Sequence, residues 1–213
     1  MPAPTSETRG ERKERTRRSI LDAALRLSTD STLVALSLRQ VAKEVGIVPT
    51  AFYRHFASID ELGLALVEEA LDALRSLLRE LRRTAGQEPS TIIDGSVTVL
   101  VEQVRAHHEH YGFIARERFA GPPQVREAIA HGIELAERDL AIDLAHLPGS
   151  AEWSDGDRQT LAALIVGVMV AAAEQLITVG ADPRASSSAE ASIADATRAK
   201  LRMIVVGAAH WHS

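Results

Sequence analysis

Thr50, Tyr53, Arg54 and His55 lie within six residues of one another, and at helical spacing they can share one outward face. Val48, Phe52 and Phe56 recur every fourth residue and form the opposite side, fit to pack on a neighbouring helix. Thr50 and Arg54 then point most directly away, flanked by Ala51 and Tyr53. Such a face suits recognition. Arg54 can donate two hydrogen bonds to a guanine edge, Thr50 can meet a thymine methyl group or a polar base edge, and Tyr53 and His55 can reach phosphates. Tandem short amphipathic helices also occur in all-helical proteins that never touch DNA, so the face must be weighed with the elements that hold it.

Those elements are legible on either side. Ser37 stands ahead of Leu38, Val41, Ala42 and Val45 with Gln40 three residues on, the pattern of a reciprocal capping box that starts a helix. Gly46 can end that helix in a left-handed turn, and Pro49 presets the first turn of a second helix, expected to run through Phe56. The pair makes a helix-turn-helix. Upstream, a helix ending near Ser28 closes over the pair with Ile20, Ala24 and Leu27. Downstream, Ser58 and Glu61 form a second capping box opening a long connecting helix through Leu62, Leu66, Leu71, Leu74 and Leu78 to Arg83. Gly86, Pro89 and Ser90 are expected to break it.

The string LSLRQVAKEVGIVPTAFYRHF closely resembles the DNA-binding motif of the TetR family of bacterial transcriptional regulators, as does the preceding helix with Ile20, Leu21, Ala23, Ala24 and Leu27. The resemblance covers about the first quarter of the chain. It implies DNA contacts from Arg17, Ser37, Arg39, Pro49, Thr50, Ala51, Tyr53, Arg54 and His55. Val48 and Pro49 stand where the family commonly has Ser, and Ile59 where it often has Lys, so the usual phosphate contacts at those two places lack their usual side chains. PTAFYRHF followed by Asp60, Glu61, Leu62, Gly63 and Leu64 is most similar to the subgroup of repressors of unsaturated fatty acid synthesis.

Charge divides along the same line. Residues 1–56 carry +4 and residues 57–213 carry −9, within a net −5. An acidic protein must therefore meet DNA through its local positive end, with steep salt dependence. Arg9, Arg12, Lys13, Arg15, Arg17 and Arg18 lead directly into the first helix and are candidates for part of that contact. The chain has no cysteine, which excludes disulfides and thiolate chemistry. Its polar N-terminus lacks a secretory segment, so a cytoplasmic protein is expected. The uncharged run Leu161 to Ala173 is shorter than the roughly 20 residues that span a bilayer, and reads as a buried helix.

Beyond the connecting helix, helical periodicity covers about 91–108, 110–119, 125–147, 157–179 and 188–211, separated by Gly/Pro/Ser-rich turns. The expected fold is all-α with about nine helices: an N-terminal arm and DNA-binding domain over 1–57, and a ligand-binding and dimerisation bundle over 58–213. The penultimate helix is apolar nearly all round and the last carries an apolar stripe that includes Trp211. In the resembled family the last two helices form a four-helix dimer interface, which assigns Leu161, Gly167, Ala171, Leu201, Val205 and Ala208 to the contact between subunits.

The bundle is aliphatic, with aromatic residues only 4% of the chain. A cavity in it would suit an elongated hydrocarbon, with Phe113, Val166, Met169, Val170 and Phe119 as candidate lining; each of these also reads as plain core. The subgroup resemblance implies an acyl chain carried as a thioester of coenzyme A, with Arg116 or Arg118 meeting its phosphates. His107, His108, His110, Glu109 and His131 raise the question of a metal, but their spacing reads better as a helix end, and neither a metal nor a cofactor is expected. No G-x-S-x-G or G-x-G-x-x-G pattern occurs. Asp139, Asp143, Glu134 and Glu137 read as a solvated face. The expected function is a dimeric, ligand-responsive repressor on a palindromic operator; the alternative is a helical enzyme or a metal- or small-molecule-binding protein without DNA function.

Overall fold

Caps written into the sequence start three of the helices. In the computed structural model, which describes residues 8–29, 31–84, 88–146, 153–181 and 187–211, Thr8 and Glu11 form a capping box that opens α1, Arg9–Leu27. Ser37 and Gln40 form the expected box at the head of α2, Leu38–Val45: Gln40 N–H donates to Ser37 Oγ at 3.3 Å, and Ser37 N–H donates to Gln40 Oε1 at 2.8 Å. Gly46 ends α2 at φ 76°, a left-handed conformation that a Cβ would strain. A short 3-10 helix, Leu33–Ala35, bridges α1 and α2.

The recognition segment departs from expectation. Regular helix α3 covers only Pro49–Phe52, and residues 53–55 continue as tight turns, with His55 N–H donating to Phe52 O at 2.8 Å. Phe52 and Phe56 are buried as anticipated, but Val48 is 64% exposed. Val48 is the extended N-cap of α3, so its side chain leaves the helical face on which periodicity placed it.

The connector α4 runs Ile59–Thr84. Ser58 Oγ accepts from Glu61 N–H at 3.0 Å, but the Glu61 carboxylate accepts from Ala57 N–H rather than Ser58 N–H, so the box closes one residue further out. The remaining helices are α5 Pro89–Ala106, α6 His108–Ala120, α7 Pro123–Leu144, α8 Asp155–Gly180 and α9 Ser187–Ala208. Among the described residues there are nine α-helices and no strand. Pro89 and Pro123 sit at the first positions of α5 and α7, where a missing N–H costs nothing, so Pro89 opens a helix rather than only breaking one. Gly86 and the turn Pro148-Gly149-Ser150 lie outside the described residues, as do 182–186 of the last loop. Trp211 lies beyond α9, is exposed, and donates its indole N–H to Asp157 at 2.9 Å instead of extending the apolar stripe.

One apolar cluster joins head to body. Ile20, Leu21, Ala24, Val41, Phe52 and Phe56 pack with Leu62 and Leu66 of α4 and with Phe113, Val125 and Ile129 of α6 and α7. Gly63 lets the 3-10 helix seat against α4, since a Cβ there would meet Leu33 Cδ2 at 2.3 Å. The head therefore rests on the body through continuous packing. The rest of the body packs α4 on α5 and α7, α8 on α7 and α9, and α9 on α5.

Candidate nucleic-acid interface

Pro49, Thr50, Tyr53 and Arg54 are all exposed on the α3 segment, with Ala51 and His55 half-buried beside them. What aims them is the pair beneath: the Phe52 and Phe56 rings lie 5.9 Å apart in the core, and Tyr53 meets Phe52 edge-on at 6.2 Å. Arg17 of α1 sets its guanidinium 4.4 Å over the Phe56 ring, tying the end of the basic arm to the recognition segment. Arg39 is exposed on the first turn of α2. Ser37 spends its hydroxyl on the cap, donating to Gln40 Oε1 at 2.7 Å.

His55 reports the local field. Burial, then Lys13 and Arg17, hold its imidazole below the ordinary histidine range. The positive potential that disfavours a proton on His55 favours a phosphate beside it. Not every basic residue of the arm contributes. Arg18 turns toward the body and binds Asp22 at 3.3 Å and Glu69 at 3.0 Å, and Arg26 reaches Glu44 of α2 at 3.7 Å.

A second feature is a cavity of about 730 Å³ walled by α4, α5, α6, α7, α8 and α9, with Leu74, Ile93, Tyr111 and Ile165 among its apolar lining. Burial pushes the Tyr111 phenol up to about 12. Val166, Met169, Val170 and Arg118 lie on the wall, whereas Phe113, Arg116 and Phe119 do not. Phe113 is 1% exposed in the core beneath the head, and Phe119 is 72% exposed because it falls on the outward side of the last turn of α6. Arg116 donates to the Ser28 and Thr29 carbonyls at the end of α1, so it is a strut to the head rather than a phosphate ligand. Its neighbour Glu117 is fully buried and accepts Leu33 N–H at 2.9 Å. The sequence carries a signal for this, since a Glu inside an apolar helical face needs a buried partner.

The residues assigned to a subunit contact also separate. Gly167 and Ala171 are exposed on α8 in line with Leu164, and Met203 and Val206 form an exposed stripe on α9. Leu161 and Leu201 are instead buried within the chain, while Val205 and Ala208 are half-buried against its own core. The all-round apolarity of α8 made its two faces indistinguishable in sequence, and only packing decides which one is internal. At 26 residues α8 is long and apolar enough to cross a membrane, which the run Leu161 to Ala173 alone was not. Among the described residues no group of three or more His, Asp or Glu is placed to hold a metal. His108 bonds the Ile177 carbonyl at 3.1 Å, and His107 and His110 stack edge-on at 6.0 Å. Asp139 and Asp143, read as a solvated face, pair with Arg79 and Arg82 of α4.

Comparison with known proteins agrees with this geometry. Residues 20–66 match the family described as bacterial regulatory proteins, tetR family. A transcriptional regulator of Rhodococcus sp. RHA1 superposes with TM-score 0.68 at 21% identity, over 90% of this chain and 96% of that one. A transcriptional regulator of Aquifex aeolicus gives 0.65 at 20%, over 89% and 99%. The fatty acid degradation regulator FadR of Bacillus halodurans gives 0.71 at 14%, over 93% and 97%. At these identities the superpositions establish a shared fold. The matched residues are those that build the helix-turn-helix, so residues 20–66 carry the likeness to the bacterial regulatory proteins of the tetR family.

Proposed function

We propose that the chain is a homodimeric, cytoplasmic repressor whose head, residues 1–57, reads a palindromic operator, and whose body, residues 58–213, binds an aliphatic effector that alters the grip. The observation that carries the reading is the exposed Thr50, Tyr53 and Arg54 set, anchored by buried Phe52 and Phe56 in a positive field. Arg54 and Thr50 read bases; Arg17, Arg39, Tyr53 and His55 meet phosphates, and Pro49, Ala51 and the Ser37 cap shape the approach. Two such heads related by a two-fold axis reach half-sites roughly 34 to 36 Å apart.

The exposed apolar stripes of α8 and α9, around Gly167, Ala171 and Met203, support pairing of two copies through these helices. The aliphatic cavity supports an acyl effector, for which a coenzyme A thioester is the form suggested by resemblance to the fatty-acid subgroup. A neighbour of the same fold is named as a fatty acid degradation regulator, which points in the same direction. The test is selection of bound duplexes from a random pool, followed by footprinting at low and moderate salt. A palindromic, salt-sensitive footprint is expected; binding indifferent to sequence would overturn the reading.

A further inference from the structure

Five arginines line the cavity, and each already holds a carboxylate. Arg79 pairs with Asp139 at 2.8 Å, Arg82 with Asp143, Arg118 with Glu174 at 2.9 Å, Arg83 with Glu80 at 2.6 Å, and Arg75 with Asp72. The acids of the wall itself, Asp139, Asp143 and Glu174, are three of those partners, so none is left over. Charge on the wall is matched one to one. An anionic ligand would meet a guanidinium here only beside the carboxylate that holds it, within a body that carries −9 over residues 57–213.

Two hydroxyls of the wall are in the opposite condition. Ser96 of α5 and Tyr111 of α6 both line the cavity, and neither makes a hydrogen bond among the described residues. Neither oxygen is sealed off, since the partnerless side-chain atoms that have no accessible surface are His55 Nδ1, Arg75 Nε and Glu117 Oε2. Tyr111 is 6% exposed and packs among Leu100, Val104, Ala172 and Leu176. Burial alone pushes its phenol up to about 12, so the oxygen keeps its proton and stands ready as a donor. Tyr111, Ile114, Ala115 and Arg118 share one face of α6, and all four border the cavity, so the surface that Tyr111 keeps opens on that space. Ser96 lies one turn before Leu100 on α5, and Leu100 packs with Tyr111, which puts both hydroxyls in one region of the wall. A buried hydroxyl without a partner is costly, and a ligand in the cavity can supply one.

We propose that the effector is an uncharged, elongated aliphatic molecule bearing a carbonyl oxygen, and that Tyr111 donates a hydrogen bond to that oxygen with Ser96 as the second donor. The inference rests on the effector-cavity reading above and narrows it, naming a neutral ketone or ester in place of a coenzyme A thioester. A carbonyl offers two acceptor sites to two hydroxyls and brings no proton that needs a partner of its own. Elongation follows from the wall, which tracks α4 from Leu71 to Arg83, about 18 Å of helix. An anion would shed its water against cations that are already taken. The ligand oxygen also meets α6 directly, and α6 is the helix whose Arg116 and Glu117 hold the end of α1 and the 3-10 helix.

The experiment titrates the full-length protein by calorimetry, below micellar concentrations, with methyl nonyl ketone, the alkene in which C=CH2 replaces its C=O, undecanoate and undecanoyl-CoA. Undecanoate and the thioester are expected to bind at least about 10-fold more weakly than the ketone at neutral pH. Tyr111→Phe should lower affinity for the ketone about 2- to 10-fold, the loss of one uncharged hydrogen bond, and leave affinity for the alkene unchanged. Ser96→Ala should act in the same selective way, and it decides the matter if Tyr111→Phe does not fold. Equal losses for ketone and alkene overturn the hydrogen bond. Tighter binding of undecanoate or the thioester overturns the uncharged assignment and leaves the aliphatic cavity standing. No binding of any of the four overturns both the inference and the effector reading beneath it.

Discussion

At the scale of single residues, the proposed operator-facing segment divides into exposed side chains assigned to reading and buried side chains that anchor, and the two kinds should fail differently. Arg54→Ala should weaken specific binding by about 1 to 3 kcal/mol and relax one operator position, because a bidentate contact to one base is lost. Tyr53→Phe should weaken all sequences more evenly. Fluorescence anisotropy across a panel of single-base operator variants separates the outcomes, and an unchanged base preference for Arg54→Ala would reassign the reading face. Phe52 is fully buried, so Phe52→Ala should instead cost about 3 to 5 kcal/mol of folding stability. The two phenylalanines could be read from periodicity alone, since a four-residue spacing needs only a helical turn. Val48 could not, because a cap residue abandons helical dihedrals.

Among the elements, α6, like α4 and α7, touches both cavity and head. It contributes Tyr111, Ile114 and Arg118 to the wall, and Arg116 and Glu117 to the end of α1 and the 3-10 helix. Glu117 is held above the usual carboxylate range by burial, opposed more weakly by Leu33 N–H and by Arg116. A raised folded-state value means that the buried carboxyl supports the fold fully below the unfolded value of 4.5, and that this support is lost as pH rises through the folded value. Glu117→Gln keeps an acceptor for Leu33 N–H and removes the ionisation. It should therefore raise the melting temperature near pH 7 relative to wild type and flatten its change between pH 5 and 7.5. Parallel melting curves for the two proteins across that range would refute the assignment. The sequence announced α6 as a helix but gave no hint that two adjacent residues on it serve as struts, since their partners lie more than eighty residues away.

At the scale of the whole molecule, the proposed dimer makes a distinct claim about α8. A Cβ added at Gly167 would meet nothing within 4 Å, so Gly167→Asp should leave the subunit folded. It should nevertheless split the dimer, because the new charge would be buried where two helices meet. Sedimentation should show a monomer with an unchanged circular dichroism spectrum and much weaker operator binding; a variant that stays dimeric would move the contact elsewhere. Ala208 is a poorer probe, being half-buried against Leu144, Leu161 and Ala162 of its own subunit.

What the amino-acid sequence determined by itself is the set of features governed by short range. Ser37 with Gln40, Gly46, Pro49 and the Phe52–Phe56 spacing are fixed by hydrogen bonds and dihedrals spanning a few residues, so the helix-turn-helix and the all-helical character were legible before any folding. The tertiary structure alone decided which side of α8 faces inward, that Leu161 and Leu201 are core, that Phe113 lies under the head, and that Asp139 and Asp143 meet arginines of α4. Helical periodicity states that a helix has an apolar side, and when apolarity runs all round it states nothing about direction. The register between α4 and α7 is set by packing across about sixty residues of chain, and that register is what brings Asp139 and Asp143 to Arg79 and Arg82.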